Sequence, residues 1–502
     1  MRTGQLTFLV AALSLVGRPA AASCPVPTAG KPALCRNDFK LELHQGPIFA
    51  PLRVTAMGGA YAAIAEGVEG LGQNAASAAV RPPYSTGDFE YDVSASWYLP
   101  GAFGDTDFDN RGEAGLNSTT FFYTFGALAQ YRGWAIGASA DFQRYTLSNS
   151  GDPAVPAASI SVGRGHASIA RTFLDDQLIV GGGIRLALAS VNTLSPGASS
   201  RDIFQRTQDN VLTMFGLSPE IGALYKPDFA PWRVGATYRF PVSAAAPSDS
   251  VVSIDGEGIR RSAGLVLPEQ VYLPWEVEVG VALNAGPRPL NPRRIEPRAH
   301  ERLVDEEILA QREARRRVQQ RELAAIVDPA LRRRREEEFA RAEPYVVAEE
   351  DARRELLHDQ LEDERRARYK NWPRARILVV AEALITGSTP RGVGVQSFLR
   401  QEDVTSGSRM TVQPRLGLEG EPVIDWVIAR VGTYIEPSRY STTPLVGSIL
   451  SGARQHFTFG LEIRTFTWDF LGAMRPTPFT VQVGGDLAPR YQNFGLSIGL
   501  WH

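Results

Sequence analysis

The 502-residue chain predicts an all-β fold. It reads as an antiparallel transmembrane β-barrel of about 14 strands, with a small-residue N-terminal segment and a charged α-helical insertion. Three observations predict this. Segments close to ten residues long alternate apolar and polar side chains, the pattern of a tilted membrane strand. Beyond the first two dozen residues, no stretch supplies the roughly 18 consecutive apolar residues that a spanning helix needs. An export leader heads the chain, and an exported membrane protein without spanning helices has to pair its backbone as a closed barrel.

The leader is "MRTGQLTFLVAALSLVGRPAAASC". Arg2 is its positive start, Leu6 to Val16 its apolar run, and Ala20, Ala21, Ala22 and Ser23 are small residues suited to cleavage, so residues 1–23 read as a secretory signal peptide. Cys24 and Cys35, the two cysteines of the chain, then fall in an exported segment, where an oxidising compartment favours a disulfide between them. Lipidation of Cys24 is the alternative, although "AASC" lacks the leucine usual in a lipid-attachment signal. Two cysteines far from any histidine cluster make no metal site, and no cofactor is expected. A formal net charge of −2 gives no reason to expect nucleic acid as a partner.

After a segment at 24–86, strands follow in two blocks, eight within 87–284 and six within 375–502. In "DFEYDVSASWY", Phe89, Tyr91, Val93, Ala95 and Trp97 share one face, opposite Asp88, Glu90, Asp92, Ser94 and Ser96. "WRVGATYRF" and "WEVEVGVALN" alternate in the same way. A soluble sandwich also alternates. Here, however, the apolar faces begin or end in aromatic residues, as membrane girdles do, and the polar faces are rich in Gly, Ser and mixed charges. The strands are expected near 88–99, 119–131, 133–145, 158–173, 177–191, 211–225, 231–243, 272–284, 375–387, 409–419, 423–435, 455–468, 477–487 and 491–502. Short and long links alternate between them. In outer-membrane barrels the short turns are periplasmic, which predicts an integral outer-membrane protein of a Gram-negative bacterium with both termini periplasmic. The last strand, "YQNFGLSIGLWH", is similar to the C-terminal signal read by barrel-assembly machinery.

Inward parity collects charge. Asp88, Glu90, Asp92, Asp141, Arg185, Arg233, Arg239, Glu276, Glu278, Arg415, Glu419, Arg430, Glu462 and Arg464 are expected to face the lumen. They read either as a path with an arginine clamp for a carboxylate or as a ladder of mutually paired charges. The histidines are scattered and no Gly-x-Ser-x-Gly or phosphate-binding loop is present, so no catalytic site is expected and the protein is read as a non-enzyme.

Residues 285–374 are nearly free of glycine and dominated by Arg, Glu, Ala and Leu, which predicts helix. Breaks at Asp328-Pro329 and Glu343-Pro344 predict about three helices. Apolar positions are sparse, so the insertion is either a docking arm, over 290–370, for a periplasmic protein or the cell wall, or a solvated spacer. Strand parity places it in the periplasm.

The stretch "RVTAMGGAYAAIAEGVEGLGQNAASAA" resembles the N-terminal signature of the FadL/OmpP1 long-chain fatty-acid transporter group, and equally that of PorV-like barrels. Arg53, Met57, Gly58, Gly59, Ala60 and Tyr61 match the pattern, as do Ile64, Ala65 and Asn74; Ala75 stands where that group usually has proline. "PRLGLEGEP" and "ARVGTYIEPSRY" resemble its late strands. The resemblance implies that 24–86 closes the lumen as a hatch. It also implies that small hydrophobic cargo such as a long-chain fatty acid crosses the outer membrane, leaving sideways through a gap in the wall. Gly137 and Gly181 to Gly183 are candidates for weakening the ladder there. The PorV side implies the alternative, a non-transporting scaffold of a secretion or envelope-assembly system that docks a partner through the insertion.

Overall fold

The computed structural model describes residues 31–81, 88–100, 106–112, 121–147, 155–194, 207–245, 252–256, 258–293, 297–371, 373, 375–440, 452–468 and 477–500. The signal peptide read over 1–23, Cys24, Trp501 and His502 lie outside them. Cys35 is disulfide-bonded.

Fourteen strands close into one antiparallel barrel. In chain order they are β1 (Phe89–Pro100), β2 (Phe121–Tyr131), β3 (Trp134–Leu147), β4 (Ala158–Phe173), β5 (Leu178–Leu194), β6 (Thr207–Tyr225) and β7 (Trp232–Arg239), followed by β8 (Glu276–Ala285), β9 (Ile377–Thr386), β10 (Thr411–Val423), β11 (Val427–Glu436), β12 (Arg454–Trp468), β13 (Thr477–Ala488) and β14 (Tyr491–Leu500). Each strand pairs with its sequence neighbours, and β1 closes the ring on β14, from Ser94 opposite Gly499 to Pro100 opposite Asn493. The alternation works as read. Trp97, Leu99, Phe125, Ile136, Ile169 and Val279 face outward, while Asp92, Ser94, Ser96 and Thr124 are buried inside. Tyr131, Trp134, Phe173, Tyr225, Trp232 and Trp426 stand exposed around the tight-turn end, an aromatic girdle that ring and polar tip suit to a membrane interface. No helix among the described residues is long and apolar enough to cross a membrane.

The N-terminal segment enters from the other end. Lys40–Glu42 forms a short strand parallel to both Gln270–Leu273 and Gly392–Gly394, inside a five-stranded sheet built from the long loops. This sheet and the helical turn Val395–Leu399 cap the loop end. Residues 51–80 then descend the lumen, and Arg81 reaches the turn end, where it donates to the Arg132 carbonyl at 2.8 Å. One expectation changes: only the second half of the segment read as hatch lies in the lumen, because 31–50 builds the cap. The expected periplasmic place of both termini falls on residues outside the described ones.

The insertion folds as α1 (Pro297–Ala325) and α2 (Pro329–Lys370), two helices rather than three. The break at Asp328-Pro329 holds, and Asp328 caps α2 by accepting from the Ala330 N–H at 2.9 Å. The expected break at Pro344 is absent: α2 runs through it. Proline there removes one hydrogen bond, to the Ala340 carbonyl four residues earlier, and on a solvated helix water can take that carbonyl. The pair is zipped by charge, with Arg312 on Glu350 at 2.7 Å and on Asp351 at 2.5 Å, and Arg335 on Glu322 at 2.8 Å. Ile308 is the one apolar side chain buried in it among those described.

Candidate functional site: a latched hatch in the lumen

The hatch is fastened by side chains of the wall that reach its backbone, and by one arginine of its own. Arg53, in the single helical turn Leu52–Ala56, is 5% exposed and pairs with Glu419 of β10 at 3.1 Å and with Glu66 at 3.2 Å. Glu419 also receives Arg376 at 2.5 Å and Arg430 at 2.7 Å, and Arg430 continues to Glu462 at 2.5 Å. Burial makes such a cluster stable only when every charge has a partner, and here each one does.

Gly58 and Gly59, at φ +63° and +75°, turn the chain through the left-handed region that side chains avoid. The turn presses the hatch backbone on the wall: a Cβ at Gly432 of β11 would lie 2.3 Å from the Gly58 nitrogen. Met57 and Ala60 are fully buried. The next two amides, of Tyr61 and Ala62, donate to the Glu382 carboxylate of β9 at 2.9 and 2.7 Å. Arg415 of β10 holds that carboxylate at 3.0 Å, Glu278 at 2.6 Å and the Gly59 carbonyl at 3.1 Å. Asn74 caps the turn Ala75–Ala79 by accepting from the Ala76 N–H at 3.0 Å. Its amide donates to the Ala62 carbonyl at 2.9 Å and to Ala223 of β6 at 3.0 Å. The capped turn forms with Ala75 in place of proline, since the Asn74 side chain supplies the restraint.

On β7, Arg233 holds Glu66 at 2.9 Å and the Ile64 carbonyl at 3.2 Å, and Arg239 donates to the carbonyls of Gly72 at 2.6 Å and Gln73 at 2.7 Å. Arg239 also pairs with Glu278 at 2.5 Å and with Glu276 at 3.3 Å, where Arg185 joins it at 2.9 Å. Of the inward charges read from parity, Arg464 stands apart: it is half-buried on β12, where its backbone N–H donates to the Trp426 carbonyl of the β10–β11 turn at 3.0 Å, and it has no ion pair among the described residues. Asp92 accepts from the Val68 N–H at 2.7 Å and Asp141 pairs with Arg164 at 2.9 Å. Partners missed in the sequence include Glu66, Arg164, Arg376 and Glu382. Glu382 carried a signal, a lone acid in the apolar run "ILVVAEALIT" on the same parity as buried Leu378 and Val380.

The glycines read as a weak point in the wall have another role. A Cβ at Gly181 would meet the Ala75 carbonyl oxygen at 2.3 Å, and one at Gly137 would meet Leu71 at 2.8 Å; these positions seat the hatch. The β3–β4 ladder is continuous from Trp134 opposite Arg171 to Leu147 opposite Ala158.

Above the hatch lies a cavity of about 90 Å³, floored by Gly72 and Gln73 and bordered by Phe49, Thr124, Arg185 and Arg415. Below it, at the turn end, a smaller cavity of about 20 Å³ is lined by Glu66, Val80, Glu90 and Arg288. Toward the cap, Phe49 begins an aromatic cluster. Its ring lies 4.9 Å from Phe122 and 5.4 Å from Tyr98, Phe122 lies 5.2 Å from Tyr145, and Phe108 lies 5.6 Å from Tyr145.

The cap carries a titrating group. Burial pushes the Asp109 carboxyl up to about 7 from 3.8, while it accepts from the Tyr440 hydroxyl at 2.6 Å. A carboxyl raised in the closed state adds most to closure below 3.8, and that contribution is lost as the pH rises to about 7. Hydrogen exchange at the cap amides of 392–399, after correction for the intrinsic rate, is therefore expected to lose protection between pH 4 and pH 7 and to level off above it. In Asp109→Asn the slope should vanish; an unchanged slope would assign it to another group.

Fold and site together define a transmembrane β-barrel closed by an internal hatch. No family model matches the chain, and no curated protein matches it. Among solved structures it is similar to the toluene transporter TbuX of Ralstonia pickettii, at 12% identity over 91% of this chain and 98% of that one, with a TM-score of 0.44. It is likewise similar to the toluene transporter TodX of P. putida (10%, 91% and 98%, 0.44) and to a Pseudomonas aeruginosa FadL homologue (10%, 91% and 99%, 0.44). The barrel described above stands on its own ladder and does not depend on these likenesses.

Proposed function

We propose that this chain is an outer-membrane channel of FadL type that admits small hydrophobic molecules past a movable hatch. The observation that carries the reading is the arrangement of the lumen. An aromatic cluster on the loop side leads to the space above the hatch, and a second space lies below it. The hatch between them is held by side-chain latches instead of strand pairing. Side-chain contacts can exchange partners without breaking the wall, so one segment can move while the ladder stays intact. The loop side is closed by strands of two to four residues, too short to be stable by themselves, which makes the cap the layer that opens to cargo. On this reading the leader is a signal peptide, the host is Gram-negative, the turn end is periplasmic, barrel-assembly machinery inserts the chain, and no reaction is catalysed. Long-chain fatty acids are one cargo to test.

The test is uptake of a labelled long-chain fatty acid and of a labelled monoaromatic hydrocarbon by a host lacking its own such channel. Uptake of either compound, lost on cross-linking the hatch to the wall through Ala63→Cys and Gly280→Cys, whose Cβ atoms would lie 3.5 Å apart, and regained on reduction, supports the channel. No uptake of either from a well-assembled barrel overturns it. That outcome would favour the second reading, a scaffold whose solvated α1–α2 hairpin docks a periplasmic protein or the cell wall; deleting 290–370 would then abolish co-purification of that partner.

A further inference from the structure

Resting on the channel reading, we infer that the space above the hatch receives the polar end of an uncharged hydrophobic molecule (an alcohol or phenol) and selects against a carboxylate. The charges around it are already spent on each other. Arg164 pairs with Asp141 at 2.9 Å, Arg185 with Glu276 at 2.9 Å, Arg239 with Glu278 at 2.5 Å, and Arg415 with Glu382 at 3.0 Å. The fifth carboxylate, Glu220, sits 4.0 Å from Arg239 and 2.8 Å from His166. Four guanidiniums thus face five carboxylates. Even a protonated His166 would only balance the set, since burial favours the neutral form of His44, 3.4 Å from Glu276. An arriving carboxylate must either displace one of these acids or lie beside it in a medium of low dielectric, and both are unfavourable.

Two groups that border the space remain available for a neutral ligand. The Thr124 hydroxyl and the Arg185 Nε have no hydrogen-bond partner among the described residues, although they are 3% and 2% exposed. A buried donor without an acceptor is costly, and a neutral hydroxyl satisfies either group without adding charge: it can accept from Arg185 Nε, or donate to or accept from Thr124. The aromatic cluster that starts at Phe49 offers the other end of the same ligand an apolar bed. A carbonyl could only accept, so it would satisfy one of the two groups less flexibly.

The experiment uses the full chain in lipid nanodiscs, with empty discs as the blank, and measures equilibrium binding of 4-propylphenol and 4-propylbenzoate at a pH where the first is neutral and the second ionised. The phenol is expected to bind about tenfold tighter or more, the worth of one buried hydrogen bond. Thr124→Val should weaken the phenol severalfold and leave the benzoate unchanged. Glu276→Gln removes one negative charge beside Arg185 and should raise benzoate affinity by about tenfold; retained heat-modifiable migration shows that each variant is folded. Equal or tighter binding of benzoate by the unaltered protein overturns the inference. If neither compound binds, the inference fails as well. The uptake assay then separates the two claims, because surviving uptake leaves the channel standing and absent uptake removes both.

Discussion

Replacing Glu419 by alanine is expected to release the hatch and make a closed barrel conduct ions. Glu419 is an acceptor shared by three buried guanidiniums, Arg53 at 3.1 Å, Arg376 at 2.5 Å and Arg430 at 2.7 Å. After its loss Arg430 keeps Glu462 and Arg53 keeps Glu66, but Arg376 is left with Glu66 at 4.0 Å. Breaking a buried ion cluster from one side costs about 3–5 kcal/mol. The wall can bear this cost, since its strands are joined by backbone hydrogen bonds that Glu419 does not make. The hatch is less able to bear it, because Arg53 is its own ionic tie to β10. In planar bilayers Glu419→Ala should therefore show conductance steps where the unaltered protein is silent, while its folded band on an unheated gel persists. A silent variant with undiminished exchange protection over 53–64 would show that the backbone contacts alone hold the hatch.

The second large effect comes from the smallest change, Gly235→Ala. A Cβ at that position of β7 would fall 2.0 Å from the Ala62 carbonyl oxygen and 2.8 Å from the Ala63 Cα. Both are backbone atoms, so no side-chain rotation relieves the clash and the hatch or the strand has to shift. Overpacking in a close-fitted interior costs about 1–3 kcal/mol even where side chains can adjust, and the upper part of that range or beyond is expected here. Gly182→Ala is the matched control, because the nearest atom to its Cβ is the Glu220 carbonyl oxygen at 3.9 Å. Limited proteolysis within 60–66 should accelerate in Gly235→Ala and stay unchanged in Gly182→Ala. Equal behaviour of the two would mean that the hatch does not rest on β7.

Strand positions were legible to within a few residues because the rule behind them is local. A wall with lipid on one side and a crowded interior on the other imposes a period of two, visible in Phe89, Tyr91, Val93, Ala95 and Trp97. Helix was legible between 297 and 370 by composition, but the number of helices was not. Pro344 breaks a helix only when the freed carbonyl finds no other partner, and exposure decides that. The hatch motif marked Arg53, Gly58, Gly59 and Asn74 without showing what they touch: the partners of Arg53 are 13 and 366 residues away, and no local pattern carries such pairings.

The sequence by itself determined a closed barrel, the inward placing of its charges and a segment shaped to lie against a crowded wall. All three follow from side-chain alternation and backbone freedom, properties of neighbouring residues. Only the tertiary structure decided that the N-terminal segment first builds a cap and then crosses the lumen, that Glu66, Arg376 and Glu382 complete the latches, and that Gly137 of β3 and Gly181 of β5 seat the hatch. Those outcomes depend on which groups meet across the lumen. In a low-dielectric interior each charge must find a partner wherever the closed ring brings one, and sequence distance has no part in that choice.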